Sequence, residues 1–152
     1  MAGVEFALVA EIDALRGRDG AVATYSAHDR FANPQGLPLH AYGLGPFVRL
    51  QLGSCPPATP GVYAVVREGD ILYVGKSENL AERWGRTNYA VIDPRNCYQG
   101  GQSTNCRINN LIGAELGAGR ALELWTHETS DPASVETAVY RPLLPPWNVR
   151  VL

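Results

Sequence analysis

Residues 61–75 read GVYAVVREGDILYVG. The run 62–67, VYAVVR, is β-branched and aromatic, the chemistry of a buried strand. Glu68-Gly69-Asp70 supplies a turn, and 71–74, ILYV, supplies a second strand that Gly75 ends. The segment 62–74 is therefore predicted to be a β-hairpin. Working outward, Ser77 is placed to cap a helix over 78–86 that carries Leu80 and Trp84 on one face. Residues 88–102 read mostly as loop. Ser103 or Thr104 opens a helix over 105–117 with the apolar stripe Ile108, Leu111, Ile112 and Leu116. Residues 121–127, ALELWTH, alternate as a third strand, and Asp131 followed by Pro132 opens a helix reaching about Tyr140. The end, PLLPPWNVRVL, reads as extended.

Upstream, SCPPATPG at 54–61 can continue neither helix nor strand and marks a boundary. Residues 46–52 alternate as a strand, 18–45 read as loop with a short helix near Ala27 to Ala32, and Leu8, Ile12 and Leu15 sit at helical spacing within 4–16. The expected fold is α/β in the α+β sense: a small three-stranded antiparallel sheet (62–67, 71–75, 121–127) flanked by helices, with an N-terminal helix-plus-strand extension. The domain division is 1–53, an extension, and 54–152, the main domain.

Length and composition bound what such a domain does. The chain has 152 residues, 45% hydrophobic and 18% charged, with a formal net charge of -2. That is the balance of one compact globular domain. It excludes a protein that coats nucleic acid through bulk positive charge. No apolar run approaches a membrane span, and Glu5, Glu11 and Asp13 interrupt the start, which predicts no membrane association and a cytoplasmic location. Cys55, Cys97 and Cys106 form no C-x-x-C, and His28, His40 and His127 form no helical pair, so the expectation is reduced, half-buried thiols rather than a zinc site.

The hairpin strands carry Gly-Val-Tyr at 61–63 and Tyr-Val-Gly at 73–75. After them come GKSENLAER at 75–83, Glu136 on the last helix and Pro-Pro-Trp-Asn at 145–148. Either tripeptide alone is weak. Together, in this order, they resemble the GIY-YIG nuclease superfamily, over about residues 60–149 and nearest its small restriction-type members. The resemblance implies a divalent-metal-dependent endonuclease that hydrolyses DNA and leaves a 5′-phosphate. The implied catalytic set is Tyr63, Tyr73, Arg83, Glu136 and Asn148. Glu136 is the implied ligand of Mg2+ or Mn2+, and Tyr63 the group that orients or deprotonates the attacking water.

The residue types suit that chemistry. Phosphodiester cleavage needs an activated water and stabilisation of charge on phosphorus and on the leaving oxygen. A divalent ion on one carboxylate keeps positions for water and phosphate. Arginine offers a planar, permanently charged fork to phosphate oxygens. A tyrosine, with an ordinary pKa near 10, needs a neighbouring cation to act as a base, and Lys76 is the candidate. Asn148 is expected to orient backbone or phosphate. One departure stands out: many family members carry His or Tyr one turn after the helix arginine, where this chain has Thr87. Asn88, Tyr89 or His127 would have to substitute.

Residues 96–110, NCYQGGQSTNCRINN, read as an insertion on the nucleic-acid face, with Gln102, Asn105, Arg107 and Asn109 reaching bases or phosphate alongside Ser77 and Arg86. The structural alternative is a helix cap and a solvated helix face. The Gly-Gly-Gln at 100–102 also occurs in release factors, but in a different and longer context. Lys76, Arg83, Arg86, Arg95 and Arg107 outnumber Glu78, Glu82 and Asp93 here, so the local charge is positive although the total is not. DNA is the expected partner, with RNA left open. One active site per chain makes double-strand cutting the work of a homo-oligomer or of sequential nicking. The competing classes are a catalytically weakened nucleic-acid-binding module and a protein-interaction module that keeps the fold.

Overall fold

The computed structural model describes residues 1–149; residues 150–152, the tail of the extended end and of the 54–152 division, lie outside the described residues. Seven strands are formed: β1 (Ala7–Ala14), β2 (Thr24–Tyr25), β3 (Phe47–Val48), β4 (Leu50–Leu52), β5 (Gly61–Arg67), β6 (Asp70–Ser77) and β7 (Leu122–Glu128). Three α-helices join them: α1 (Leu80–Gly85), α2 (Ser103–Gly117) and α3 (Pro132–Leu143). Short 3-10 turns cover His28–Arg30 and Pro94–Cys97. No helix among the described residues is long and apolar enough to cross a membrane.

The hairpin forms as expected, with Tyr63 opposite Gly75 and Val65 opposite Tyr73. β7 pairs with β5, completing the three predicted strands. The sheet does not stop there. It has five strands, all antiparallel, in the order β4-β1-β7-β5-β6. The extra strands correct the N-terminal expectation: residues 7–14 are extended, not helical. Ile12 and Ala14 are buried, while Leu8 and Leu15, two of the three residues that suggested a helix, are exposed. Pairing with β7 on one side and β4 on the other overrides the local helical spacing. Residues 1–53 thus add two strands to the sheet built by the rest of the chain.

The predicted strand 46–52 divides at Arg49. Its first half pairs with β2 and its second with β1. The helices fall close to expectation, with shifted caps. Asn79, not Ser77, caps α1 by accepting from the Glu82 N–H at 3.1 Å. Asp131 caps α3 as expected, and that helix runs on through Pro142 to Leu143.

β5 is buried on both faces, the reason it reads as an unbroken apolar run. One face, with Tyr63, Val65 and Leu124, packs against Leu80 and Trp84 of α1 and Ile108 and Ile112 of α2. The other, with Val62, Ala64 and Val74, packs against Val139 of α3. A smaller cluster joins Phe47, Ile92, Tyr98 and the two buried thiols, Cys97 and Cys106. Burial raises both thiols, Cys106 to about 12, so they stay protonated and serve as packing.

Asn109 joins these layers. Its side chain is fully buried. It accepts from the Val48 N–H at 2.9 Å and donates to the Val48 and Tyr89 carbonyls, each at 2.8 Å. Asn109→Ala leaves three buried backbone groups without partners, at roughly 1–3 kcal/mol each. Denaturant unfolding is expected to show a loss of at least about 3 kcal/mol.

Candidate active site

The site is built on the Tyr63–Gly75 pair. A Cβ on Gly75 would stand 2.5–2.7 Å from the hydroxyl and ring of Tyr63, and one on Gly61 would stand 2.5 Å from the His127 carbonyl and 2.7 Å from Leu80. Glycine at both positions is what allows the Tyr63 ring to lie across β6 and the strand ends to close on α1. Tyr73 projects from the same face, its ring centroid 6.2 Å from that of Tyr63. Trp84 meets the Tyr63 ring edge-on at 5.2 Å.

Tyr89 completes the cluster. The chain leaves α1 through Thr87 and Asn88, the latter at φ +57°, and turns Tyr89 inward. Its hydroxyl lies 2.8 Å from that of Tyr63 and 3.3 Å from that of Tyr73. Of the three substitutes considered for Thr87, Tyr89 therefore stands in the cluster. Asn88 donates to Thr87 and accepts from Asn105. His127 is opposite Val62, hence on the other face of the sheet, with Nδ1 against the Glu5 carbonyl and its ring near Phe6. Thr87 itself donates to the Glu82 carbonyl at the end of α1.

Burial raises the pKa of Tyr63, Tyr73 and Tyr89, and their mutual proximity adds to this. Arg83 opposes the shift at Tyr63 and Tyr89, and Arg107 at Tyr73, without offsetting burial. The cation facing Tyr63 is thus Arg83. The expectation that Lys76 would serve is corrected by register: Lys76 is opposite Val62, so its side chain leaves the sheet on the face away from Tyr63. There it pairs with Glu136 at 3.0 Å.

Arg83 and Trp84 are the two side chains of the site with a buried donor left open. The guanidinium carbon of Arg83 lies 5.4 Å from the Tyr89 ring centroid. Its Nε is buried without a hydrogen-bond partner, and no carboxylate among the described residues pairs with it. A stacked guanidinium with a buried open donor is suited to an anion.

Asn148 grips the free edge of β6, accepting from the Val74 N–H at 2.9 Å and donating to the Val74 carbonyl at 2.8 Å. Trp147 donates to the Leu72 carbonyl, and Arg107 donates to the Trp147 carbonyl at 2.6 Å. The segment is strapped along the edge strand, which covers backbone that would otherwise be open. Asn148 shares with Glu136, Thr137 and Tyr140 a hollow of about 190 Å3. Glu136 is near enough for its charge to oppose ionisation of Tyr63 and Tyr73.

Among the described residues no three His, Cys, Asp or Glu side chains gather as a metal cage. The donor set at Glu136, one carboxylate beside an open hollow, fits a divalent ion that keeps most of its waters. Lys76 holds one of its oxygens.

The expected nucleic-acid contacts divide. Arg86 and Gln102 are exposed. Ser77, Asn105 and Asn109 are buried and turn inward, which corrects their assignment. Ser77 closes the turn into α1 through the Asn79 N–H and carbonyl. Asn105 donates to Asn88 and Gln102. Asn109 holds backbone. Arg107 is half-buried on the Trp147 carbonyl. α2 spends its polar residues on neighbouring loops, a use that side-chain type alone does not reveal. Tyr89 was signalled only weakly, because the chain has left helical periodicity before reaching it.

The tyrosines bind their protons more tightly folded than unfolded. Their stabilising effect is therefore intact below about pH 10 and is lost as the pH rises beyond it. Absorbance titration is expected to show Tyr63, Tyr73 and Tyr89 ionising late, together with unfolding. Tyr89→Phe is expected to remove one ionisation from that late step.

No family model, curated protein or solved structure matches the chain, so the functional reading rests on the geometry of the site and on its motif order.

Proposed function

We propose that the chain is a phosphodiester-hydrolysing endonuclease acting on DNA, of the kind its motif order resembles. The observation that carries this reading is Arg83. It is an arginine stacked on Tyr89, with a buried unpartnered Nε, beside three converging tyrosine hydroxyls. In this reading Arg83 takes two oxygens of the scissile phosphate and counters the charge that builds on them.

Tyr73 is the more exposed of the two motif tyrosines, at 7% against 1% for Tyr63, and in this reading it receives the attacking water in place of Tyr63. Because burial keeps these hydroxyls protonated, their role is to orient the water through Tyr73, which Tyr89 and Tyr63 hold in place, not to act as standing tyrosinates. Water adds to phosphorus, the bond from phosphorus to the 3′-oxygen breaks, and the proton that the water gives up passes by way of a phosphate oxygen to the departing oxygen, which leaves as a 3′-hydroxyl. The other product is a 5′-phosphate. Glu136 would hold Mg2+ or Mn2+, which when bound supplies positive charge to the phosphate and leaving oxygens. Asn148 holds the edge of β6 in place behind Tyr73.

The second reading, a binding module with weakened catalysis, is favoured by two observations. Thr87 stands where a base is usual, and Lys76 holds Glu136. Incubation of supercoiled plasmid with the protein and Mg2+ or Mn2+ separates the two. Nicking or cutting that Arg83→Ala and Glu136→Ala each reduce by about a hundredfold or more is the expected result. Binding without any cleavage of DNA or RNA by the wild type would favour the module. Full cutting by Glu136→Ala would remove the metal assignment.

Lys76 gives an independent check. Lys76→Met frees the Glu136 carboxylate of its ammonium partner. Mn2+ binding, followed by titration without DNA, is expected to tighten several-fold, and unchanged affinity would mean that the ion binds elsewhere.

A further inference from the structure

A basic hollow lies outside the tyrosine cluster. It has a volume of about 280 Å3 and is lined by Leu15, Ala23, Thr24, Tyr25, Arg30 and Arg49. No carboxylate lines it. Arg30 and Arg49 are exposed, and among the described residues neither is paired with an acidic side chain. The Tyr25 hydroxyl accepts from the Ile92 N–H at 2.9 Å, which leaves its own proton free to donate. Two open guanidiniums and a hydroxyl donor around one concavity are complementary to a single phosphate group.

The position of the hollow is held relative to the active site. Arg49 stands between Val48 and Leu50. Val48 is tied through the Asn109 amide to the Tyr89 carbonyl, and the Leu50 N–H donates to the Ala90 carbonyl at 3.1 Å. Tyr25 is tied to Ile92, three residues after Tyr89. No more than about 11 Å of backbone separates Tyr89 from Ile92. The two basic sites are thus tied to one short run of backbone, 89–92.

We infer that Arg30, Arg49 and Tyr25 form a second backbone-phosphate site that sets the register of a nucleic-acid strand whose scissile phosphate lies at Arg83. This rests on the endonuclease reading above and gives residues 1–53 a part in it. The site carries no base-reading geometry, so its contribution is affinity and placement, independent of sequence.

The test measures binding of a labelled short DNA duplex in EDTA by anisotropy, over a range of salt concentrations, for the folded full chain. Both arginines are exposed, so Arg30→Ala/Arg49→Ala is expected to keep the wild-type circular dichroism and melting temperature. It is expected to weaken binding about tenfold and to reduce the magnitude of the salt slope by about one, the signature of one lost phosphate contact. Arg30→Lys/Arg49→Lys is expected to recover most of the slope. Arg141→Ala, an exposed arginine on α3, is expected to change neither quantity. Wild-type affinity and slope in the double alanine variant would overturn the inference while leaving the nuclease reading standing if the plasmid is still cut. Weakened binding by that variant with no cutting by wild type would sustain the phosphate site and sink the nuclease. Absence of any binding by the wild type would overturn both.

Discussion

The Tyr63 ring rests on the α-carbon of Gly75, and the site depends on that contact. Any side chain on Gly75 would collide with the ring and its hydroxyl. Because the ring crosses β6, its hydroxyl arrives beside those of Tyr73 and Tyr89 instead of ending inside the sheet. Because it is buried there, it stays protonated. The same crossing makes Trp84 and Tyr89 the remaining walls, and Tyr89 in turn forms the platform on which Arg83 stacks. One glycine on an edge strand therefore governs where three hydroxyls and a guanidinium meet.

Much of this was legible before any coordinates. The hairpin, the third strand and the two longer helices follow from a β-branched apolar run, period-two alternation, turn residues, an apolar stripe at helical spacing and an Asp-Pro start. Their formation does not require distant partners to be known. β1 was illegible for the opposite reason. Leu8, Ile12 and Leu15, at helical spacing, are locally a helix, and only pairing with β7 and β4 makes the first two part of a strand. A similar divide runs through the site. Tyr63, Tyr73 and Arg83 meet because strand register and helix start bring them together. The Lys76–Glu136 pair and the buried Asn109 depend on which face a side chain leaves and on what the facing loop lacks. Lys76 lies close to Tyr73 in sequence, but strand residues alternate between faces, and register puts it on the face away from Tyr63.

The net charge of -2 had counted against nucleic acid. The distribution of charge changes that weight. Glu115, although its burial opposes ionisation, is held charged by Arg120 and Arg67. Asp13 is paired with Arg16, and Glu136 with Lys76. These pairs take three acids and four cations, so pairing does not by itself make the open charge positive; what matters is where Arg83, Arg30 and Arg49 stand, each without an acidic partner among the described residues. A sum over the chain weights paired and open charges equally, whereas a phosphate responds to open ones within a Debye length.

The two halves of the site meet at an edge rather than on a face. Tyr63, Tyr73 and Arg83 serve the α1–α2 side of the sheet, and Lys76 and Glu136 the α3 side, with β6 between them. An interior strand could not connect them, because neighbouring strands would separate the two faces. An edge strand allows groups from both faces to approach a ligand lying along its rim, at the cost of open backbone that invites pairing. Asn148 and Trp147 resolve that conflict by occupying the N–H and carbonyl groups of Val74 and the carbonyl of Leu72. The asparagine near the chain end is thus a positioning residue. It keeps the edge closed to other strands while the Lys76 and Glu136 side chains on the α3 side stay partly exposed.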